Sequence, residues 1–405
     1  MAIPTSRDQA EEMDQQDPLR ALRDQFVLDD GVIYLDGNSL GPPTKAVLAR
    51  LRQTAEAEWR RDLIKSWNTA GWIDLPRTCG RKIASVIGVD ADDVLVCDSV
   101  SVNIFKLVSA LWSQAPGPIA YCRGEFPTDG YILQGFARLT GALLHTLPDA
   151  GPEVIDGNAN IVIKSVVDYK SAAVTNISAW EQAAAAHDVA IIWDLSHAAG
   201  LLDLKLKQAG ARYAVGCGYK FLNGGPGAPA YIYADKAAAE KLAQPLSGWM
   251  GHARPFEFAD DYTPAEGAGR FACGTPSILS LSALDAALDI FDDVSMSAVE
   301  VKAATLGDLF LTRCTQFGLE SIAPAISKKR GGHISVRHPN GYEIVQALIA
   351  KGVIGDFRPP DLMRFGLSPL YIQYTDIWDA TSMLEEILSS EMWRDPKFAE
   401  RKAVV

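Results

Sequence analysis

Two residues of this chain stand where side chains can do chemistry. Asp194 closes a run of apolar residues in "VAIIWDLSHAAG", and Lys220 follows 26 residues later in "YAVGCGYKFLNGGPGAPAYIYA". A carboxylate at the carboxyl end of a buried parallel strand faces the crevice in which open α/β sheets bind ligands, and it needs a cationic partner there. Lys220 has small, apolar and aromatic neighbours instead of polar ones. A buried amine of this kind loses its proton easily and can attack a carbonyl. An aspartate facing a pyridinium nitrogen, with a lysine able to form a Schiff base, is the arrangement that pyridoxal phosphate chemistry requires. Gly216 and Gly218 are expected to make room for a planar ligand, and "NGGPGAP" to turn the chain so that the lysine points at it. Taken singly, Asp194 also reads as a helix N-cap and Lys220 as a surface lysine at a strand end, and spacing alone leaves those readings open.

Other chemistries find no support. The sequence has no G-x-x-x-x-G-K-[ST] loop, no G-x-S-x-G elbow and no H-E-x-x-H, and "GCGYKF" lacks the third glycine of a dinucleotide fingerprint. The six histidines show no metal-ligand spacing, so no metal is expected. The six cysteines contain no C-x-x-C pair, which suggests reduced thiols and a cytoplasmic setting. A formal net charge of -12 argues against nucleic acid or an anionic membrane as partner. The polar, acidic start "MAIPTSRDQAEEMDQQD" does not read as a signal peptide, and no stretch reads as membrane-spanning.

The elements that must position the pair follow from alternating periodicities over 405 residues. "TKAVLARLRQTAEAEWRRDLI" reads as one amphipathic helix, "SVNIFKLVSALW" as another, and "TDGYILQGFARLTG" as a third closed by Gly141. "DVLVC", "PIAYC", "NIVIKSVVD", "VAIIWDLS", "YAVGCGYK" and "APAYIYA" read as strands, with the helix "ISAWEQAAAAHD" among them. This is the pattern of a wound α/β domain. "TPSILSLSALDAALDIFDDV" reads as a long connecting helix before a smaller α+β domain. The expected division is an N-terminal segment 1–30, a large domain 31–285 and a small domain 286–405.

A further set of segments carries a resemblance. "YLDGNSLGPP", "SWNTAGW", "DSVSVN", "EFPTDGY", "WDLSHAAG", "GCGYKFLNGGPGAPA", "GWMGH", "FACGTPSILSLSAL" and "RFGLSPLY" run in order from residue 34 to residue 371. Together they resemble the kynureninase family, fold-type I pyridoxal-phosphate enzymes related to class V aminotransferases and cysteine desulfurases. The resemblance implies a large domain with a mostly parallel seven-stranded sheet. It implies that Lys220 is the Schiff-base lysine, that Asp194 partners the pyridine nitrogen, and that Phe126 stacks on the ring. Asp129, Ser165 and His197 fall on further cofactor positions. Val100 and Ser101, at a helix start suited to a dianion, would hold the phosphate with Tyr219, Trp249 and, from the neighbouring subunit, Thr275. A homodimer with shared active sites follows.

For the substrate, the resemblance implies Arg364 as the carboxylate clamp, which suits a planar guanidinium. Trp67 and Gly274 would lie around the aromatic ring, with Asn38 and Ser39 in a loop closing over the same end. The implied reaction is hydrolysis of L-kynurenine to anthranilate and L-alanine in tryptophan catabolism, with Tyr219 as general acid. Trp67, where 3-hydroxykynurenine-preferring relatives carry histidine, favours plain kynurenine over a role in NAD synthesis. A desulfurase would want a cysteine near residue 330, and "ISKKRGGHISV" has none. In "VVDYKSAAV" the chain departs from the pattern, with alanines after Ser171 and an aspartate, Asp168, where an amide is common.

Overall fold

The structure is a computed structural model and describes residues 3–401. It divides into two units. The larger comprises Ala46–Asp168 and Thr175–Asp292; the smaller comprises the described chain up to Lys45, Tyr169–Val174, and the described chain from Asp293 on. Residues 31–45, expected in the large domain, thus lie in the smaller unit, where Ile33–Tyr34 pairs in parallel with Val353–Ile354.

The larger unit is built on seven strands: β1 (Val94–Val96), β2 (Ile119–Cys122), β3 (Leu144–Leu147), β4 (Ile161–Ser165), β5 (Ala190–Asp194), β6 (Tyr213–Cys217) and β7 (Ala230–Ala234). Their order is β1-β7-β6-β5-β4-β2-β3, and only the pairings that involve β7 are antiparallel. The central strands are continuous apolar runs buried on both faces, as covered parallel strands are. Ile161, Ile163, Ile192, Val215 and Ile232 form one core with Ile104, Leu107 and Leu111 of α1 (Val100–Gln114) and with Leu133 and Phe136 of α2 (Pro127–Thr140). Pro127 opens α2 and Gly141, at φ 76°, closes it as expected.

Three sequence expectations give way. Strand β3 was not expected; it is an edge strand with half-exposed and exposed residues, so it lacks the apolar signal of its neighbours. The expected helix over residues 44–64 is α-helical only over Lys45–Gln53 and widens into a π-turn over Thr54–Trp59. The Thr54 hydroxyl bonds back to the Arg50 carbonyl at 2.9 Å, and the buried Glu58 accepts from Arg50, which favours that widening. The long helix over 275–294 is instead α3 (Ile278–Leu288) with a 3-10 turn over Asp289–Phe291, both inside the larger unit.

In the smaller unit four antiparallel strands, β8 (Glu320–Ser321), β9 (His333–Arg337), β10 (Asp356–Arg358) and β11 (Leu362–Gly366), take the order β10-β11-β9-β8. The helices Arg7–Gln16, Met296–Gln316, Gly341–Ala350 and Tyr374–Ser389 belong to the same unit. The β10/β11 register sets Asp356 opposite Arg364. Among the described residues no helix is long and apolar enough to cross a membrane.

One buried cation fixes the start of α1. Lys106 is wholly buried, and its Nζ donates to Asp98 Oδ2 and to the Phe271 carbonyl, each at 2.5 Å. Asp98 itself sits in the left-handed region at φ 50°, a strained conformation held from the second turn of the helix that it precedes. Lys106→Met removes the cation and leaves both acceptors unpaired. It is expected to cost about 2 kcal/mol, read as a thermal midpoint lower by roughly 5 °C; an unchanged midpoint would show that Lys106 does not hold the loop.

Candidate active site

The parallel register of β4, β5 and β6 sets Ser165 beside Asp194 at the carboxyl ends of β4 and β5, with Asp194 beside Val215 in the middle of β6. Asp194 is buried, and its Oδ1 accepts from the amide of Ser196 at 2.8 Å and from its hydroxyl at 2.6 Å. These bonds orient the carboxylate. The turn they create carries the chain to His197, also buried, whose Nε2 lies 3.0 Å from Lys220 Nζ. Asp194 therefore stands at the strand end and organises a turn; no helix starts there, so the N-cap reading falls.

Lys220 emerges beyond β6 into a tight loop. The Asn223 amide bonds back to the Lys220 carbonyl, and the Gly224 amide to that of Gly218, each at 2.9 Å. Asn223, Gly225 and Gly227 all have positive φ, which "NGGPG" makes possible. The expected reason for Gly216 and Gly218 is corrected. A Cβ on Gly216 would stand 2.2 Å from the Tyr231 hydroxyl, and one on Gly218 2.6 Å from the Pro229 carbonyl. The protein itself fills both spaces, so these glycines serve close packing against β7 and the approach to it.

The Lys220 ammonium lies 5.9 Å from the centroids of both the Phe126 and Tyr219 rings. Phe126 is 42% exposed, an aromatic face open for a ring to stack on. Its position is set by the preceding residue. Glu125 receives Lys164 Nζ at 2.6 Å on one oxygen and the Ser165 amide at 2.9 Å on the other. This pair escaped sequence reasoning, although a lysine inside the apolar run "NIVIKS" was a signal that an acid must be buried beside it.

Asp129, one turn into α2, is 1% exposed, and its Oδ2 has no hydrogen-bond partner. Burial, with Asp194 and Glu125 nearby, pushes its carboxyl well above the usual range against the pull of Lys220. Burial likewise pushes the Tyr219 phenol up, helped by Cys217 and Asp194, which keeps its O–H intact at neutral pH. A buried carboxyl group with an unused oxygen, an oriented carboxylate, an amine and an open aromatic face match the polar and stacking needs of pyridoxal phosphate.

Val100 and Ser101 form the first turn of α1, with Ser99 as N-cap accepting from the Val102 amide. Trp249, 39% exposed, packs on Phe256 and Phe258, not on the lysine group. Gly274 and Thr275 line a cavity of about 250 Å³ with Asp98, Pro229 and Met250. Trp67 stands edge-on to Trp72 at 6.1 Å, and the Trp72 indole donates to Glu58. Lys220, Tyr219, Asp194, His197, Phe126, Asp129 and Ser165 are therefore brought together, whereas Trp249, Thr275, Gly274 and Trp67 are not seen against them.

In the smaller unit Arg364 is 2% exposed and heavily engaged. Its Nε and Nη2 grip Asp356 at 2.9 and 2.6 Å, Nη2 also donates to Ser39 Oγ at 3.0 Å, and Nη1 to the Tyr169 carbonyl at 2.8 Å. Asn38 is wholly buried against Gly366, where an added Cβ would meet its Oδ1 at 2.0 Å. Asp356, unmarked in the sequence, becomes visible as Arg364's partner only once β10 and β11 are paired.

Known proteins resemble this chain in sequence and in fold. Residues 299–384 match a family profile described as the kynureninase C-terminal domain. The structure is similar to the cystine C-S lyase C-DES in complex with cysteine persulfide, with a TM-score of 0.78 at 17% identity, over 88% of this chain and 98% of that one. It is also similar to an apo cysteine desulfurase from Thermococcus onnurineus NA1, with a TM-score of 0.77 at 16% identity, over 91% and 98%. These likenesses establish the fold-type I architecture. The chain is 42% identical to a kynureninase from Burkholderia mallei strain SAVP1, over 98% of this chain and 99% of that protein. It is 41% identical to one from Pseudomonas fluorescens, over 99% and 100%. With the lysine, its aspartate and the fold in place, that identity over nearly the whole length makes this chain a member of the kynureninase family.

Proposed function

We propose that this chain hydrolyses L-kynurenine to anthranilate and L-alanine, using pyridoxal phosphate, and takes the 3-hydroxy derivative less well. The observation that carries the reading is the meeting of Lys220 Nζ and His197 Nε2 at 3.0 Å beyond the strand that ends in Asp194. Asp194 would hold the ring nitrogen, Phe126 the ring face, and Ser165, Asp129 and His197 the remaining polar edge. The α1 amides at Val100 and Ser101, Tyr219, Trp249 and a partner's Thr275 would hold the phosphate. When bound, pyridoxal phosphate supplies the sink for the electrons of a carbanion at the substrate's α-carbon.

The chain's own side chains handle the protons. The amine of Lys220 would take the α-proton, and the adjacent imidazole of His197 limits where that amine can point. Asp194 stays oriented by Ser196 and keeps the ring nitrogen protonated. Water adds to the ketone carbon, the Cβ–Cγ bond breaks, and the Tyr219 phenol, kept protonated by burial, gives its proton to Cβ. Arg364 receives the α-carboxylate. Trp67 presents an aromatic wall, and a hydroxyl placed against it without a partner costs about 1–3 kcal/mol.

The protein is proposed to act in the cytoplasm as a homodimer. The six cysteines are all unpaired, and Trp249, Phe256 and Phe258 form an exposed aromatic group of the kind that partner chains cover. Among fold-level relatives a desulfurase reading has no mobile cysteine near residue 330 to support it.

Side-by-side turnover, followed by anthranilate fluorescence and its hydroxylated counterpart, is expected to favour L-kynurenine in kcat/KM by at least about tenfold; equal or reversed values would overturn the preference. Lys220→Ala should abolish both turnover and the visible absorption that bound pyridoxal phosphate acquires, and full activity in that variant would sink the mechanism. Tyr219→Phe should lower kcat by about a hundredfold or more while the cofactor still binds; an unchanged kcat would remove the phenol as acid. For the shared site, Lys220→Ala and Thr275→Asp homodimers are dissociated, mixed and reassociated. If Thr275 serves the partner's site, the mixture recovers about a quarter of wild-type activity, because half the dimers are mixed and each has one intact site. No recovery would mean that Thr275 serves its own chain.

A further inference from the structure

Arg364 uses four of its five N–H groups inside the smaller unit: two on Asp356, one on Ser39 and one on the Tyr169 carbonyl. Its Nε/Nη2 fork is spent, so an incoming carboxylate cannot be held by that fork alone. A second guanidinium stands on the same acid. Arg358 Nη2 donates to Asp356 Oδ2 at 2.7 Å, its side chain is 41% exposed, and its Nε has no hydrogen-bond partner. A second acid belongs to the same group: Asp36 bridges Gly366, two residues beyond Arg364, and its carbonyl accepts at 2.9 Å from the amide of Ser39, whose hydroxyl touches Arg364 and Asp356. Asp36 is 6% exposed, and its Oδ1 is buried without a hydrogen-bond partner.

We propose that Asp36 is the positioning acid of the carboxylate cradle: protonated, it leaves Arg358 and Arg364 facing the single charge of Asp356 and able to take a substrate carboxylate; ionised, it neutralises them and weakens that binding. The inference rests on the reading of Arg364 as the carboxylate receiver. The groups facing Asp36 are Asp356 and Arg358 on β10, Arg364 on β11, Ser39 in its own loop, Tyr34 before it and Tyr371. Burial and repulsion by Asp356 push the Asp36 carboxyl up to about 7, against the pull of Ser39, Arg364 and Arg358. The sign follows: the proton is on in mild acid, off in mild alkali, and carboxylate affinity falls as pH rises through neutrality. Catalytic contact is not required of Asp36. It acts through the net charge of the two arginines.

The test uses the holoenzyme and 4-(2-aminophenyl)-4-oxobutanoate, the substrate without its amino group, so that no amine titrates. Its competitive inhibition constant is expected to rise about tenfold between about pH 6 and about pH 8, the loss produced by a single group ionising near neutrality. In Asp36→Asn the constant should stay flat at the wild-type acid value. A flat wild-type constant, or the same rise in Asp36→Asn, would overturn the proposal. Wild type is also titrated with the primary amide of the same inhibitor, which keeps the test open if Asp36→Asn folds poorly. The amide should show no pH dependence, and a matching rise would overturn the proposal. Arg364→Lys separates the two readings. Unchanged inhibition by the acid at low pH would remove Arg364 as receiver and the Asp36 inference with it, whereas weakened inhibition together with an unmoved pH dependence in Asp36→Asn would remove only Asp36.

Discussion

The site depends on one constraint, the parallel register that brings the ends of β4 and β5 level and lets β6 run two residues further. It places Ser165, Asp194 and Val215 side by side, so that a carboxylate is held at the mouth of an apolar sheet. A charge there is costly to desolvate unless it is oriented and partnered. Ser196 supplies the orientation and the loop after β6 supplies Lys220 within reach of His197. The rest of the larger unit serves this placement. Glu125 and Lys164 anchor the segment that carries Phe126, Lys106 anchors the loop before α1, and the positive-φ run after Asn223 returns the chain into β7.

The same physical device occurs in each unit. Asp129 sits as a buried acid whose carboxyl is pushed up beside the oriented Asp194, and Asp36 as a buried acid pushed up beside the doubly paired Asp356. In a low-dielectric setting two neighbouring carboxyls do not both ionise readily, so one is left to hold a proton. Near Lys220 this keeps a positive partner from being over-neutralised. Near Arg364 it leaves surplus positive charge for an anionic substrate group. Neither device could be inferred from composition, since the chain as a whole carries a formal charge of -12.

Much of the fold was legible because its signals are local. The six buried strands and the cap at Gly141 follow from apolar runs and turn residues, and Asp194 and Lys220 follow from strand ends. What was hidden depends on pairing. Strand β3 is an edge strand whose exposed residues give no apolar run. The break after α3 and the π-turn at Thr54–Trp59 arise where the pattern stays helical but a side chain bonds back to the backbone or a short 3-10 turn ends the helix. Gly216 and Gly218 were assigned to ligand space, whereas Tyr231 and Pro229, distant in sequence, occupy that space. Asp356 and Glu125 acquire meaning only through partners that the folded chain brings to them.

The central claim is that Asp194, fixed at the end of β5, sustains the electron withdrawal on which carbon acidity at the active site depends. The most direct test is the rate at which the holoenzyme washes deuterium from the α-carbon of labelled L-kynurenine, compared between wild type and Asp194→Asn. The account predicts that the variant still binds pyridoxal phosphate through Lys220, seen as visible absorption, yet exchanges the label slower by about a hundredfold or more. Exchange at the wild-type rate in the cofactor-loaded variant would contradict it.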